Sequence, residues 1–200
     1  FNTHWKIKSN FYLSNDIRVN LSKLSLLGSH QLINAGLAIH LARNILNKKF
    51  VLEKTEKALM NCDWPGRLQQ IKSGLLNKKI KKYKNIYLDG FHNIDGMKAL
   101  IKSLPKNRKI LICSFLKNKK YIQLLSNLSN HFNIIIVVKM NEENSITEDL
   151  LPKYLKLYFA NSLTDSFKMI NKLSSNQTSI YFGGSLYFIG EVIKLNRLKN

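Results

Sequence analysis

From Asn85 to the C-terminus, short runs of β-branched and aromatic residues alternate with amphipathic stretches of about ten residues, and this rhythm constrains the fold more than any other feature. The runs read as strands at 86–88, 109–115, 134–138, 156–160 and 179–183. The stretches between them read as helices near 94–103, 119–130, 147–155, 164–173 and 185–195, with Thr147 and Thr164 as N-caps. Strand, helix and strand in succession take a right-handed crossover over a parallel sheet. The expected fold is therefore α/β, with a Rossmann-like, mostly parallel sheet.

The first third of the chain reads differently. Residues 4–8 and 10–13 have the alternating, aromatic character of short strands, and 17–21 is apolar at every second position, which suggests a small antiparallel edge. Leu27-Gly28-Ser29-His30 punctuates the chain, with Ser29 as a candidate N-cap. Leu32, Ile33, Leu37, Ile39, Leu41, Ala42 and Ile45 then supply a broad apolar helical face. A second helix over 53–61 ends before Asp63-Trp64-Pro65-Gly66-Arg67, where proline followed by glycine marks a boundary between domains 1–62 and 63–200. The first residue, Phe1, looks like entry in mid-domain, and 78–84 reads as a basic loop.

At 200 residues the chain can bury a sizeable core without disulfides or a structural metal. Cys62 and Cys113 form no metal-ligand pair, so a reducing cytoplasm is the expected compartment, and no apolar run has the length of a membrane span. The formal charge of +20 would ordinarily direct attention to nucleic acid. Arginine, however, stands only at positions 18, 43, 67, 108 and 197, and lysine is spread over nearly every segment. Dedicated readers of nucleic acid concentrate their basic residues and favour the arginine fork. Nucleic acid is therefore not expected as the main partner.

In an open parallel sheet, ligands meet the carboxyl ends of the strands. Asp89-Gly90-Phe91-His92-Asn93 falls at such an end, where a carboxylate can accept from a ribose or position a metal-nucleotide; the same residues also suit a plain turn with Asn93 as helix cap. Gly183-Gly184-Ser185 opens the last helix with free amides and a hydroxyl suited to a phosphate or carboxylate, or serves close packing alone. Arg67, behind the boundary turn, is placed to grip phosphates or is simply an exposed arginine. His4, His40 and His131 have no acidic or cysteine partner at ligand spacing, and no glycine is followed by lysine, so the chain holds no phosphate loop.

In this order and spacing, four motifs resemble the C-terminal part of the folylpolyglutamate synthase and dihydrofolate synthase family of the Mur ligase superfamily. Residues 27–35 are similar to its Leu-Gly-x-His-Gln-x-x-Asn-Ala helix start, and Trp64-Pro65-Gly66-Arg67 to its hinge. Residues 89–93 are similar to Asp-Gly-Ala-His-Asn, and 184–192 to Gly-Ser-Leu-Tyr-x-x-Gly-Glu-Val. The resemblance implies that 1–62 closes a central ATPase domain and 63–200 forms the glutamate-ligase domain. It also implies that a phosphate loop and magnesium ligands precede this chain, which alone should be inactive.

The activity implied by the resemblance is that of an ATP- and magnesium-dependent ligase, expected to be monomeric, that adds L-glutamate to dihydropteroate or a folate through an acyl phosphate. Asn34 then corresponds to an adenine-side contact, Arg67 to a catalytic residue reaching the phosphates, and Asp89 to a nucleotide contact. His92 and Ser185 correspond to substrate-binding positions on the glutamate side, with His92 also catalytic. The chain departs from the family at 114–120, where Ser-Phe-Leu-Lys-Asn-Lys-Lys replaces Gly-Met-x-x-Asp-Lys-Asp, and at Phe91 and Ile94. These departures bear on substrate preference and activity. The competing readings are a Mur-type ligase acting on a cell-wall precursor and a basic nucleic-acid-binding module.

Overall fold

A computed structural model describes residues 5–14, 16–80, 85–173 and 177–198; His4 and part of the expected 78–84 loop lie outside them. The chain divides into two compact units, Phe1–Trp64 and Pro65–Asn200.

In the first unit, β1 (Trp5–Lys8), β2 (Phe11–Ser14) and β3 (Arg18–Asn20) form an antiparallel sheet in that order. Ser9 and Asn10 both take positive φ between β1 and β2, the backbone of a tight two-residue hairpin turn. Helix α1 (Ser29–Leu46) belongs to the same cluster as Tyr12, Val19 and Leu21 and buries Gln31, Ala35, Gly36 and Ile39. Of the expected face, Ile39 is buried and Leu32 packs against the core, but Ile33, Leu37, Leu41 and Ile45 are exposed; the buried stripe passes through Gly36, where a Cβ would meet the Trp5 ring and an Ile7 methyl. Gly28, rather than Ser29, occupies the N-cap, with no side-chain cap. Helix α2 (Leu52–Met60) completes this unit, and an Arg43–Asp16 ion pair ties α1 to the segment before β3.

The second unit begins with β4 (Gln69–Ile71) and α3 (Leu75–Lys79), then runs β5 (Asn85–Asp89), α4 (Ile94–Lys102), β6 (Lys109–Cys113), α5 (Tyr121–Leu128), β7 (Ile134–Val138), β8 (Tyr158–Ala160), α6 (Leu163–Leu173), β9 (Ser179–Gly183) and α7 (Leu186–Asn196). The sheet order is β4-β5-β9-β6-β7-β8, parallel throughout except for β4. Strands β6, β7 and β9 are buried at every residue, as expected of a parallel sheet covered on both faces. Alternate residues feed two cores. Ile110, Ile112 and Phe182 join residues of α3, α6 and α7 on one face, while Leu111, Cys113 and Tyr181 join residues of α4 and α5 on the other.

Three expectations need correction. The segment 147–155 is a 3-10 turn at Glu148–Leu150 followed by irregular chain, because Pro152 cannot donate to a helix and disfavours helical φ/ψ at Leu151. Thr147 makes no side-chain cap, and α6 is capped by Ser162 instead of Thr164: the Ser162 Oγ accepts from the Asp165 amide at 3.1 Å and donates to its carboxylate at 2.8 Å. Strand β4 and helix α3 add to the expected elements. The topology matters for function because β5 and β6, consecutive strands, both pair with β9. Their three carboxyl ends, at Asp89, Cys113 and Gly183, lie side by side where the chain leaves in different directions.

Candidate functional site

Asp89 ends β5 and is 8% exposed. One carboxylate oxygen accepts from the Leu68 amide at 3.0 Å and the other from the Phe91 amide at 2.9 Å. Two further bonds knit the same corner: the Gly90 amide donates to the Gly66 carbonyl at 2.8 Å, and the Gly66 amide to Gln69 Oε1 at 3.1 Å. A Cβ on Gly90 would meet the end of the Leu186 side chain, which would have to shift to admit it. Arg67 is half-buried between two residues of positive φ, Gly66 at 75° and Leu68 at 46°. For Leu68, which has a Cβ, that conformation costs roughly 1–2 kcal/mol. The Asp89 carboxylate is thus turned into the fold, onto the turn that carries Arg67.

Burial pushes the Asp89 carboxyl up to about 6, opposed by the Phe91 and Leu68 amides and by the Arg67 charge. An acid whose folded pKa is raised holds its proton in the folded state after the unfolded chain has released it. Stability contributed by this group therefore falls as pH rises from the ordinary carboxylate range to about 6, and is constant above. The Asp89 carboxyl resonance should titrate with a midpoint near 6 by NMR. A midpoint in the ordinary range would mean that the amides and Arg67 outweigh burial.

His92 is half-buried, with Nδ1 3.1 Å from the Gly90 carbonyl. A carbonyl can only accept, so Nδ1 carries the hydrogen and the neutral ring leaves Nε2 as the free acceptor. Ser185 is 5% exposed and caps α7, its Oγ accepting from the Tyr187 amide at 3.2 Å. The hydroxyl proton of Ser185 is left to donate. Before it, Gly184 has φ 103°, and a Cβ would collide with the Ser114 carbonyl.

These two residues share a cavity of about 310 Å³ lined by His92, Leu116, Asn118, Lys119, Gly184, Ser185, Leu186 and Tyr187. The lining contains no carboxylate, one lysine, and the positive end of an 11-residue helix. Such a site favours an anion with hydrogen-bonding ends. Asn118 stands out in the sequence only as a departure from a family pattern, and Lys119 keeps that pattern's lysine; the irregular turn that carries them, closed by Lys119 N–H to the Leu116 carbonyl at 3.0 Å, gives no periodic signal.

Two other departures, Phe91 and Phe115, turn inward. Phe91 is 2% exposed and meets Phe115 edge-on at 6.1 Å, filling the core beside Gly183. Two substitutions relative to the family pattern thus pack against each other and leave the cavity lining untouched.

Asn34 belongs to the first unit, where it is exposed on α1 and donates to Gln31 Oε1 at 3.0 Å, with Gln31 Nε2 3.0 Å from His30 Nε2. Among the described residues no cluster of three or more His, Cys, Asp or Glu side chains could hold a metal ion, and no helix is long and apolar enough to cross a membrane.

No family model matches the chain. It is 28% identical over 188 residues to a dihydrofolate synthase/folylpolyglutamate synthase of Bacillus subtilis, covering 88% of this chain and 41% of that protein. The fold is similar to that of Mycobacterium tuberculosis folylpolyglutamate synthase complexed with ADP, with a TM-score of 0.79 and 18% identity over 98% of this chain and 47% of the other. It is likewise similar to a bifunctional folylpolyglutamate synthase/dihydrofolate synthase with Mn, AMPPNP and L-glutamate bound, with a TM-score of 0.77 and 15% identity over 98% and 47% of the two chains. The chain spans less than half the length of these proteins.

Proposed function

We propose that this chain, a relative of the folylpolyglutamate and dihydrofolate synthases, is the glutamate-binding portion of a cytoplasmic ATP-dependent ligase that joins L-glutamate to dihydropteroate, a folate, or both. The observation that carries the reading is the acid-free cavity between His92 and Ser185, which adjoins the corner that holds Arg67. A free dicarboxylic amino acid brings two anionic ends and one ammonium, and the cavity offers complementary groups to each. Ser185 Oγ–H, the helix amides and Lys119 suit the carboxylates, while His92 Nε2 suits the ammonium.

In this reading ATP, when bound, supplies the phosphoryl group that converts the acceptor carboxylate into an acyl phosphate. Arg67 neutralises the charge that gathers on the transferring oxygens. The nitrogen of glutamate can attack only once it has lost a proton, and His92 Nε2, held as an acceptor by the Gly90 carbonyl, takes it. The carbon–nitrogen bond forms, the carbon–oxygen bond to phosphate breaks, and phosphate leaves. Asn34, on the unit assigned to the ATPase domain, serves the adenine side, and Asp89, its carboxylate steadied by the Leu68 and Phe91 amides, adds a nucleotide contact from this domain. In this reading the magnesium that accompanies ATP is held by other parts of the ligase.

The test is ATP-, magnesium- and glutamate-dependent phosphate release by the full-length gene product, with dihydropteroate and tetrahydrofolate offered separately. Release with either acceptor is the expected result, and none with both would remove the reading. Lys119→Ala should raise the KM for glutamate about fivefold with kcat little changed, the size expected of one exposed charge. An unchanged KM would take Lys119 out of the glutamate site.

A further inference from the structure

We propose that Ser145 is a positioning residue, whose buried hydroxyl shapes the 140–146 loop into a brace for the Leu116–Lys119 turn and so sets one wall of the cavity between His92 and Ser185 for its ligand. The proposal rests on the proposed function only in taking that ligand to be L-glutamate.

The turn needs such a brace. It supplies Leu116, Asn118 and Lys119 to the cavity lining, yet the Lys119–Leu116 bond that closes it is internal and does not fix where the turn stands. Its position is tied instead to the loop after β7. The Lys117 amide donates to the Asn144 carbonyl at 2.8 Å and the Ile146 amide to the Phe115 carbonyl at 3.1 Å. Between these two bonds, Leu116 and Ser145 stand opposite each other in an antiparallel bridge.

The loop in turn is gathered around one side chain. Ser145 is 2% exposed and lies outside the cavity lining. Its amide donates to the Glu142 carbonyl at 2.9 Å, and its Oγ accepts from the Met140 amide at 3.0 Å and donates to the Ile146 carbonyl at 3.3 Å. Met140 is buried as well, so a loop without this hydroxyl would have to move to find its amide another acceptor. At its start the loop is joined to the other wall: the Asn141 amide donates to Glu191 Oε1 at 3.2 Å, on α7, the helix whose first turn lines the cavity. A chain of hydrogen bonds thus runs from α7 through the 140–146 loop to the turn that carries Asn118 and Lys119.

The experiment places Ser145→Ala in the full-length gene product, alone and in an Asn118→Ala/Lys119→Ala background. Three quantities are read: kcat and KM for glutamate in ligation, the Kd for L-glutamate by NMR titration, and amide hydrogen exchange at Lys117 and Ile146. Ser145→Ala alone should raise KM and Kd for glutamate at least about threefold with kcat within about twofold, and speed exchange at both amides at least about tenfold. With Asn118 and Lys119 truncated, the same substitution should change Kd by less than about 1.5-fold, because the brace would then place neither of the polar groups that bind. Equal losses in both backgrounds would overturn the proposal in favour of a direct contact by Ser145. Unchanged exchange, or faster exchange with unchanged Kd, would overturn it as well, the second by reducing Ser145 to a structural role. Absence of ligation with either acceptor would remove the proposed function and leave this proposal to be decided by Kd and exchange; a wild-type protein that binds no L-glutamate would overturn it too. If Ser145→Ala fails to fold, Lys117→Pro is compared with Lys117→Ala. Lys117 is the second residue of its turn, a position that favours proline, and proline removes the N–H that donates to Asn144 while alanine keeps it. Proline should then bind L-glutamate at least about threefold more weakly than alanine and speed exchange at Ile146, and equal Kd values for the two would overturn the proposal.

Discussion

Replacing Arg67 by alanine in the full-length gene product should lower kcat for ATP-dependent glutamate ligation by about 10²- to 10³-fold while leaving the KM for glutamate nearly unchanged. The size comes from what the guanidinium is asked to do. A phosphoryl group in transfer spreads charge over its oxygens, and a fixed donor aimed at them is worth about 3–4 kcal/mol in the transition state. Arg67→Lys should recover little of the loss, since an ammonium on a flexible stem restores the charge without the planar fork. Thermal unfolding provides the control. The side chain is half-buried and the turn is held by Leu68 and Gly66 through Asp89 and Gly90, so the fold should survive the truncation with its midpoint little moved. Loss of the Arg67 charge removes one influence that lowers the Asp89 pKa, and that carboxyl should titrate higher in the variant. Ligation within about threefold of wild type would sink the assignment of Arg67 to the phosphates.

The parts of the molecule that are legible in the sequence are those where one local force dominates. Ile134–Val138 is apolar throughout and Ser179–Gly183 is apolar and aromatic at its centre because both are buried on both faces, and no helix of that length and composition competes. Strand β4 is illegible for the opposite reason. Gln69-Gln70-Ile71 has a partner on one side only, and its pairing with β5 depends on Leu68 and Gly66 turning the chain back, which no pattern of hydrophobicity encodes. Helix α1 shows how a correct element can carry a wrong face. Large apolar residues at Ile33, Leu37 and Leu41 suggest the core, yet the ring of Trp5 leaves no room for a side chain at Gly36, and the buried stripe runs through Gln31, Ala35, Gly36 and Ile39. In the candidate site, Ser185 and Asn93 are readable because caps obey local rules, and both bond as a cap should. Asp89 is readable as a functional position but the direction of its carboxylate is not, since that depends on an amide 21 residues away.

Gly184→Ala should destabilise the protein by about 2–6 kcal/mol and lower its unfolding midpoint by on the order of 10 °C, whereas Gly190→Ala, six residues later in the same motif, should leave stability unchanged or raise it slightly. The two glycines differ in what surrounds them. At Gly184 the backbone stands at φ 103°, outside the range that L side chains adopt, and a Cβ would run into the Ser114 carbonyl and the ring of Phe115, neither of which can swing aside. The chain must make this bend to pass from β9 into α7 beside the end of β6, so the strain cannot relax without moving the helix start. At Gly190 nothing lies within 4 Å of the added methyl, the position is helical and exposed, and alanine is preferred to glycine there by up to about 1 kcal/mol. The same geometry has a functional consequence. Any relief of the Gly184 clash displaces Ser185 and the first amides of α7, so a folded Gly184→Ala enzyme should show a raised KM for glutamate in proportion to its loss of stability. Equal midpoints for the two variants would mean that the bend at Gly184 is not strained by a side chain. The glycine would then have to be explained by what binds above it.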